Sequence, residues 1–68
     1  MYRNLMAEMA RKGITYIELS NITNIPVNTL RDKIQGRTPL HLKQAQEIFL
    51  KVFPDLDFFY LFKEDNDV

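Results

Sequence analysis

Residues 15 to 36, TYIELSNITNIPVNTLRDKIQG, contain two short helical patterns separated by only a few residues. In the first pattern, the Thr15 hydroxyl can accept a hydrogen bond from the backbone of Glu18, whose carboxylate can reach back to the Thr15 amide. Asn24 can adopt the left-handed conformation that ends a short helix. Pro26 suits the first turn of a following helix, where its missing N–H costs nothing. Two helices joined by a tight bend are therefore predicted.

The second of these helices is predicted to have one buried and one polar side. Leu30 and Ile34 are four residues apart and share a face, which we expect to be buried. The opposite face and its flanks carry Asn28, Arg31, Asp32, Lys33 and Gln35. Gly36 is expected to end the helix. The segment thus predicts a short helix whose polar side is available to recognise another molecule.

Apolar residues recur at three- and four-residue steps on both sides of this segment, which predicts three further helices. The buried row of the longest one is predicted to comprise Leu42, Ala45, Ile48, Phe49, Val52 and Phe53. The five predicted helices cover approximately residues 2–12, 15–22, 26–35, 41–53 and 57–63, followed by an acidic end at 64–68. Because neither a period-two alternation nor an internal repeat occurs, we predict a single all-α domain.

The composition excludes several classes of protein. The 68 residues are 46% hydrophobic and 26% charged, which suits one globular domain. With no cysteine and a single histidine, His41, the chain has neither a disulfide nor a zinc site made of these residues. We expect His41 to be a cap or surface residue. No catalytic, metal-binding or phosphate-cradling motif is recognisable, so we expect no enzyme, metal or cofactor.

The start of the chain, MYRNLMAEMARK, does not resemble a signal peptide, and no apolar run is long enough to cross a bilayer. A cytoplasmic protein without a membrane partner is expected. Charge is distributed unevenly, although the net charge is zero. Residues 1–45 hold seven basic and three acidic side chains (+4), whereas residues 46–68 hold two and six (−4). Such a polarised chain can steer an anionic polymer toward its first two-thirds.

The order of several short motifs points to a known family. They are Thr15-x-x-Glu18-Leu19-Ser20, Ile25-Pro26-x-x-Thr29-Leu30, Lys33-Ile34-x-Gly36-Arg37, Leu42-x-x-Ala45-x-x-Ile48 and Tyr60-Leu61-Phe62. Together they resemble the Cro and repressor family of phage and bacterial DNA-binding domains, over about residues 4–62. The resemblance implies a five-helix, lambda-repressor-like fold with a helix-turn-helix formed by helices two and three.

Three residues differ from the family pattern. Asn24 replaces the usual turn glycine and tolerates the same backbone angles. Thr23 replaces an aliphatic residue, and we expect Ile22 to take over its packing. Pro26 replaces the serine or threonine that caps the recognition helix, which removes a hydroxyl that can contact a phosphate.

The resemblance further implies sequence-specific binding of an operator in double-stranded DNA, with helix 26–35 in the major groove, by a phage-type transcriptional regulator. The predicted base contacts are Asn28, Arg31, Asp32 and Val27. The predicted phosphate contacts are Thr15, Tyr16, Lys33, Arg37, Thr38 and Lys43. Asn28 leads this set because its amide can pair in bidentate fashion with adenine.

Two other interpretations remain open. The polar residues of helix three are also explained as the solvated side of an amphipathic helix, and Val27 as part of the core. Alternatively, the chain is a protein-interaction module, such as an antirepressor-like accessory protein, that binds a partner through its aromatic C-terminal segment. That segment also suggests a homodimer, with Phe58, Phe59 and Phe62 as contacts, because palindromic half-sites require two-fold partners.

Overall fold

The computed structural model describes residues 1–65, in which all regular secondary structure is helical. The helices are α1 (Arg3–Lys12), α2 (Tyr16–Thr23), α3 (Val27–Ile34), α4 (Leu42–Val52) and α5 (Phe58–Leu61). Each begins one residue after its predicted start, because the predicted first residue is the N-cap in every case. Of the predicted acidic end, residues 66–68 lie outside the described part. None of the five helices combines the length and apolar character needed to cross a membrane.

The two central helices begin and end as their local sequence predicts. The Thr15 hydroxyl accepts from the Glu18 amide at 3.1 Å, and the Glu18 carboxylate accepts from the Thr15 amide at 3.4 Å. Asn24 ends α2 with a left-handed backbone, φ 60° and ψ 24°. Pro26, at φ −54° and ψ 139°, lies just before α3 rather than inside its first turn. The connection between α2 and α3 is therefore only three residues long.

A glycine ends α3. Gly36 has φ +86°, its N–H donates to the Lys33 carbonyl at 3.3 Å, and the Arg37 N–H donates to the Asp32 carbonyl at 2.8 Å. This pair of bonds is a Schellman motif, which satisfies carbonyls at the end of the helix. The chain direction after α3 is thus set by backbone hydrogen bonds.

All five helices contribute to one hydrophobic core. The side chains without any exposed surface are Leu5, Leu19, Leu30, Ile34, Ile48 and Leu61. The Cα radius of gyration is 10.9 Å, and α2 packs closely on α3 and on α4. Because Leu30 and Ile34 both belong to this core, α3 is held by its apolar side, as predicted.

Two expectations about packing are wrong. Leu42 was expected in the buried row of α4 but is 65% exposed, because the buried side of α4 follows Ala45, Ile48 and Val52. Leu42 instead lies on the outward side of α4, together with Gln46 and Leu50. Helical spacing shows which residues share a face but does not show whether that face is buried.

Ile22 does not take over the packing of Thr23. Thr23 is itself 6% exposed and Ile22 37% exposed. The Thr23 hydroxyl donates to the Leu19 carbonyl at 2.9 Å, which satisfies its polar group inside the core.

A buried carboxylate joins α1 to α5. Glu8 is only 6% exposed and accepts hydrogen bonds from the Tyr60 hydroxyl at 2.8 Å and from the Arg11 guanidinium at 3.1 Å. The hydrogen bond to Glu8, together with burial and the negative charge of Glu8, raises the pKa of Tyr60 above its ordinary value. The aromatic C-terminal helix is therefore attached to α1 by a polar contact as well as by packing.

This contact predicts a pH dependence of stability. The folded state holds the Tyr60 proton more tightly than the unfolded chain, whose tyrosine pKa is about 10. The contribution of Tyr60 is complete below that pH and is lost as pH rises through the higher folded-state pKa. Tyr60→Phe should therefore show a smaller decrease in the free energy of unfolding between about pH 9 and pH 11, measured by urea denaturation. An equal decrease in both proteins would contradict the assignment.

The N-terminal residues cross the end of α3. The Tyr2 N–H donates to the Ile34 carbonyl at 3.0 Å, and the Met1 carbonyl accepts from the Asp65 N–H at 2.9 Å. A Cβ atom added at Gly36 would lie 2.6 Å from the Met1 nitrogen. Gly36 therefore combines a left-handed backbone with a close backbone neighbour.

We expect Gly36→Ala to destabilise the fold more than Gly13→Ala does. Gly13 is also left-handed, at φ +74°, but a Cβ there would meet no atom within 4 Å. Both substitutions incur a backbone penalty of about 1–2 kcal/mol, and Gly36→Ala must also displace Met1. Urea denaturation of the two variants measures the difference, and equal losses would show that Met1 yields without cost.

Candidate nucleic-acid interface

The polar side of α3 faces away from the core. Leu30 and Ile34 are fully buried, and Asn28, on the opposite side, is exposed. Asp32 and Gln35 share that side and are half-buried. The amide of Asn28 thus lies where a ligand approaching α3 from solvent meets it.

The guanidinium of Arg31 lies at the junction of α3 and α2. Its Nη1 is 3.3 Å from the Asn28 Oδ1, and its central carbon is 5.5 Å from the centre of the Tyr16 ring. The first contact is a hydrogen bond within α3, and the second is a cation–π contact to the first turn of α2. Arg31 is consequently held between two other predicted contact residues, Asn28 and Tyr16.

Asp32 is paired with a cation. Its Oδ1 lies 3.2 Å from the Arg37 Nη1; the Asp32 side chain is 43% exposed and that of Arg37 68%. Exposed ion pairs contribute about 0–1 kcal/mol, so a ligand can replace this one at little cost. While the pair exists, it neutralises the carboxylate on the outer side of α3.

The remaining predicted contacts differ in how accessible they are. Thr38 and Lys43 are exposed, and Val27 is half-buried at the first position of α3. The Thr15 hydroxyl already bonds Glu18, whose carboxylate lies at the N-terminus of α2. A phosphate approaching that helix end would meet this carboxylate, which weakens the case for Thr15 as a phosphate contact.

Lys33 is buried, whereas its predicted role as a phosphate contact requires an exposed ammonium. The residue is 8% exposed, and its ammonium donates to the Pro39 carbonyl at 2.8 Å. Its side chain joins α3 to the following loop, so its expected role as a phosphate contact is not supported. Sequence reasoning placed Lys33 on the flank of the polar side, and tertiary packing of the loop over that flank buries it.

The predicted dimer contacts are unequal in exposure. Phe59 is 83% exposed, whereas Phe58 and Phe62 are half-buried. The ring of Phe62 lies 4.9 Å from that of Phe58 and 6.1 Å from that of Tyr2. Phe62 thus packs within the domain. Sequence reasoning also missed a surface residue, since Leu50 of α4 is 67% exposed.

Comparisons with protein-family models, with curated proteins and with solved structures found no match for this chain. A function is therefore inferred from the side chains of α2, α3 and their surroundings. The order of the sequence motifs described above adds to that inference.

Lys33→Met tests the structural role of this lysine. The substitution retains an apolar stem but removes the ammonium, so the Pro39 carbonyl loses its partner and stability should fall by about 1 kcal/mol. Lys63→Met, at an exposed lysine, is the matched control and should leave the free energy of unfolding unchanged. Equal stabilities in urea denaturation would show that the Lys33 contact contributes nothing to the fold.

Proposed function

We propose that this protein binds double-stranded DNA sequence-specifically as a transcriptional regulator of the Cro and repressor type. In this proposal α2 and α3 form a helix-turn-helix, and α3 lies in the major groove. The observation that carries the proposal is the outer side of α3, where the exposed Asn28 amide adjoins a guanidinium held against Tyr16. Regulation then follows from occupation of an operator.

Each residue of this side has a chemical counterpart in the major groove. The Asn28 amide can donate to adenine N7 and accept from adenine N6, and the Arg31 guanidinium can donate to guanine or to a phosphate. Asp32 can accept from cytosine N4 once Arg37 leaves it. Val27, at the start of α3, is suited to a thymine methyl group.

Phosphate contacts are proposed around this centre. Arg37, Thr38 and Lys43 lie on the loop after α3 and in the first turn of α4, and all three are exposed. The amide of Tyr16, also a predicted contact, lies at the same end of α2 as the Glu18 carboxylate, which weakens the case for it as it does for Thr15. Because the net charge of the chain is zero, non-specific affinity for DNA should be modest, and base contacts should supply most of the discrimination.

A protein-interaction module is the second candidate function. The 83% exposure of Phe59 favours it, because a large aromatic side chain in solvent is typical of a binding surface. Asp32, on the side proposed to face DNA, also favours it, since a carboxylate repels phosphates. In this alternative, α2 and α3 keep the helix-turn-helix form without contacting DNA.

Titration of a fluorescent random-sequence duplex at several salt concentrations tests DNA binding. The log–log slope should be about −2 to −3 for a monomer, from Arg37, Lys43 and Arg31 at about −0.9 per neutralised phosphate, and roughly double for a dimer. Arg31→Ala should weaken binding to duplexes selected from the random pool by about 1–3 kcal/mol, and Arg37→Ala should reduce the salt slope by about 1. Lys63→Ala removes the same charge from the other end of the chain and should have little effect.

A flat salt response would count against DNA binding. Equal effects of Arg31→Ala and Lys63→Ala would mean that only overall charge matters and that α3 is not the reading element. Either result would leave the protein-interaction module as the better candidate.

A further inference from the structure

The outward side of α4 carries a symmetric row of residues. Leu42 is 65% exposed, Leu50 is 67% exposed, and the exposed Gln46 lies midway between them. Residues four apart form one ridge along a helix. This ridge therefore has the order leucine, glutamine, leucine when read from either end.

An aromatic groove borders one side of the ridge. Its volume is about 440 Å³, and Gln46, Phe49, Leu50 and Phe58 line it. Phe59 continues this surface, with its ring centre 6.1 Å from that of Phe58. The ridge, the groove and Phe59 lie side by side, and we call them together the α4–α5 surface.

Charged side chains border the opposite side of the ridge. Lys43 and Glu47 line a second groove there, between α4 and the bend that connects α2 to α3. The side chain of Lys51 extends toward α2. Its ammonium lies 3.7 Å from the Glu47 carboxylate and 3.4 Å from the Ile22 carbonyl. Along this edge, a positive group is followed one helical turn later by a negative one.

We propose that the α4–α5 surface binds the same surface of a second copy of this chain. The two α4 helices run antiparallel, and the two-fold axis passes beside Gln46. An isologous contact of this kind requires a self-complementary patch. Around an axis at Gln46, Leu42 of each copy meets Leu50 of the other, so the symmetric row supplies that complementarity.

The side chains on the two edges of the ridge are also complementary under this two-fold symmetry. The two-fold axis brings the charged edges of both copies to one side, where Lys43 of each copy lies near Glu47 of the other. It brings the aromatic edges together on the opposite side, where each Phe59 meets the aromatic edge of the second copy. Because the chain has zero net charge, no net electrostatic repulsion opposes the association of two copies.

A small interface would use a modest share of the protein surface. Specific dimers bury at least about 600 Å² on each partner, at the lower end of the usual range. The described residues expose 4526 Å² in total, so about one-eighth of that surface would be buried. This pairing does not rest on DNA binding.

Disulfide cross-linking tests the position of the two-fold axis, because the chain contains no cysteine of its own. Packed helices lie about 8–10 Å apart with Cα atoms about 2.3 Å from each axis, so facing Cα atoms fall near the separation of about 4.4–6.8 Å that a disulfide needs. Gln46→Cys should therefore cross-link to its own equivalent under mild oxidation.

Two further cysteine variants test the antiparallel register. Leu42→Cys and Leu50→Cys should form little covalent dimer alone but should cross-link when the two variants are mixed. Ile17→Cys, on the exposed side of α2, is the matched control and should remain uncross-linked. Failure of Gln46→Cys to cross-link, or equal cross-linking at position 17, would overturn the proposed arrangement.

Analytical ultracentrifugation of the cysteine-free chain tests whether the dimer exists. Leu50→Glu should raise the dimer dissociation constant by about 30-fold or more, as expected for a central interface residue. Ile17→Glu, at a residue that is 64% exposed, should leave it unchanged. Lys43→Glu and Glu47→Lys should each weaken the dimer, and the double exchange should restore it. A wild-type chain that stays monomeric in the high micromolar range would refute the proposal, even if it binds DNA.

Discussion

The structure depends on how α3 is held, because a helix of eight residues is not stable in water without tertiary packing. Leu30 and Ile34 supply that packing, and both are fully buried. Their separation by four residues determines the rotation of the helix, so burying them turns Asn28 toward solvent. The left-handed residues Asn24 and Gly36 then set where the chain enters and leaves. Consequently, the orientation of the polar side follows from the core.

The charges around α3 are mostly satisfied within the protein. Arg31 contacts Asn28 and Tyr16, and Asp32 pairs with Arg37, all at positions that are at least partly exposed. Such exposed contacts contribute little to stability, so a ligand with the right groups can replace them. They nevertheless keep the side chains near one geometry, which reduces the entropy lost on binding. A neutral chain can therefore present a polar side prepared for a specific ligand.

Local features of the fold were predictable from the sequence, whereas features that depend on distant packing were not. The helix ends at Thr15 and Asn24 depend on neighbouring residues alone, and both were predicted. The burial of Lys33 depends on the Pro39 carbonyl, which a loop carries back over α3. The burial of Thr23 depends on the hydrogen bond that its hydroxyl donates to the Leu19 carbonyl. Residue type alone favoured the more apolar neighbour, Ile22, for the buried position, and that expectation was wrong. For the same reason the polar side of α3 was predictable, but the partners of Arg31 and Asp32 were not.

The apolar residues of α4 show how the core and the surface are related in so small a domain. Ala45, Ile48 and Val52 face the core, while Leu42 and Leu50 lie on the outward side. Single apolar residues on a surface need no explanation, and Ile17 of α2, which is 64% exposed, is an example. Two outward leucines beside an aromatic groove are different, because a helix with apolar residues on two sides is typical of one packed between two layers. Residues 1–65 supply only one of these layers, and the symmetric order of the outward row is what a second copy of α4 would match.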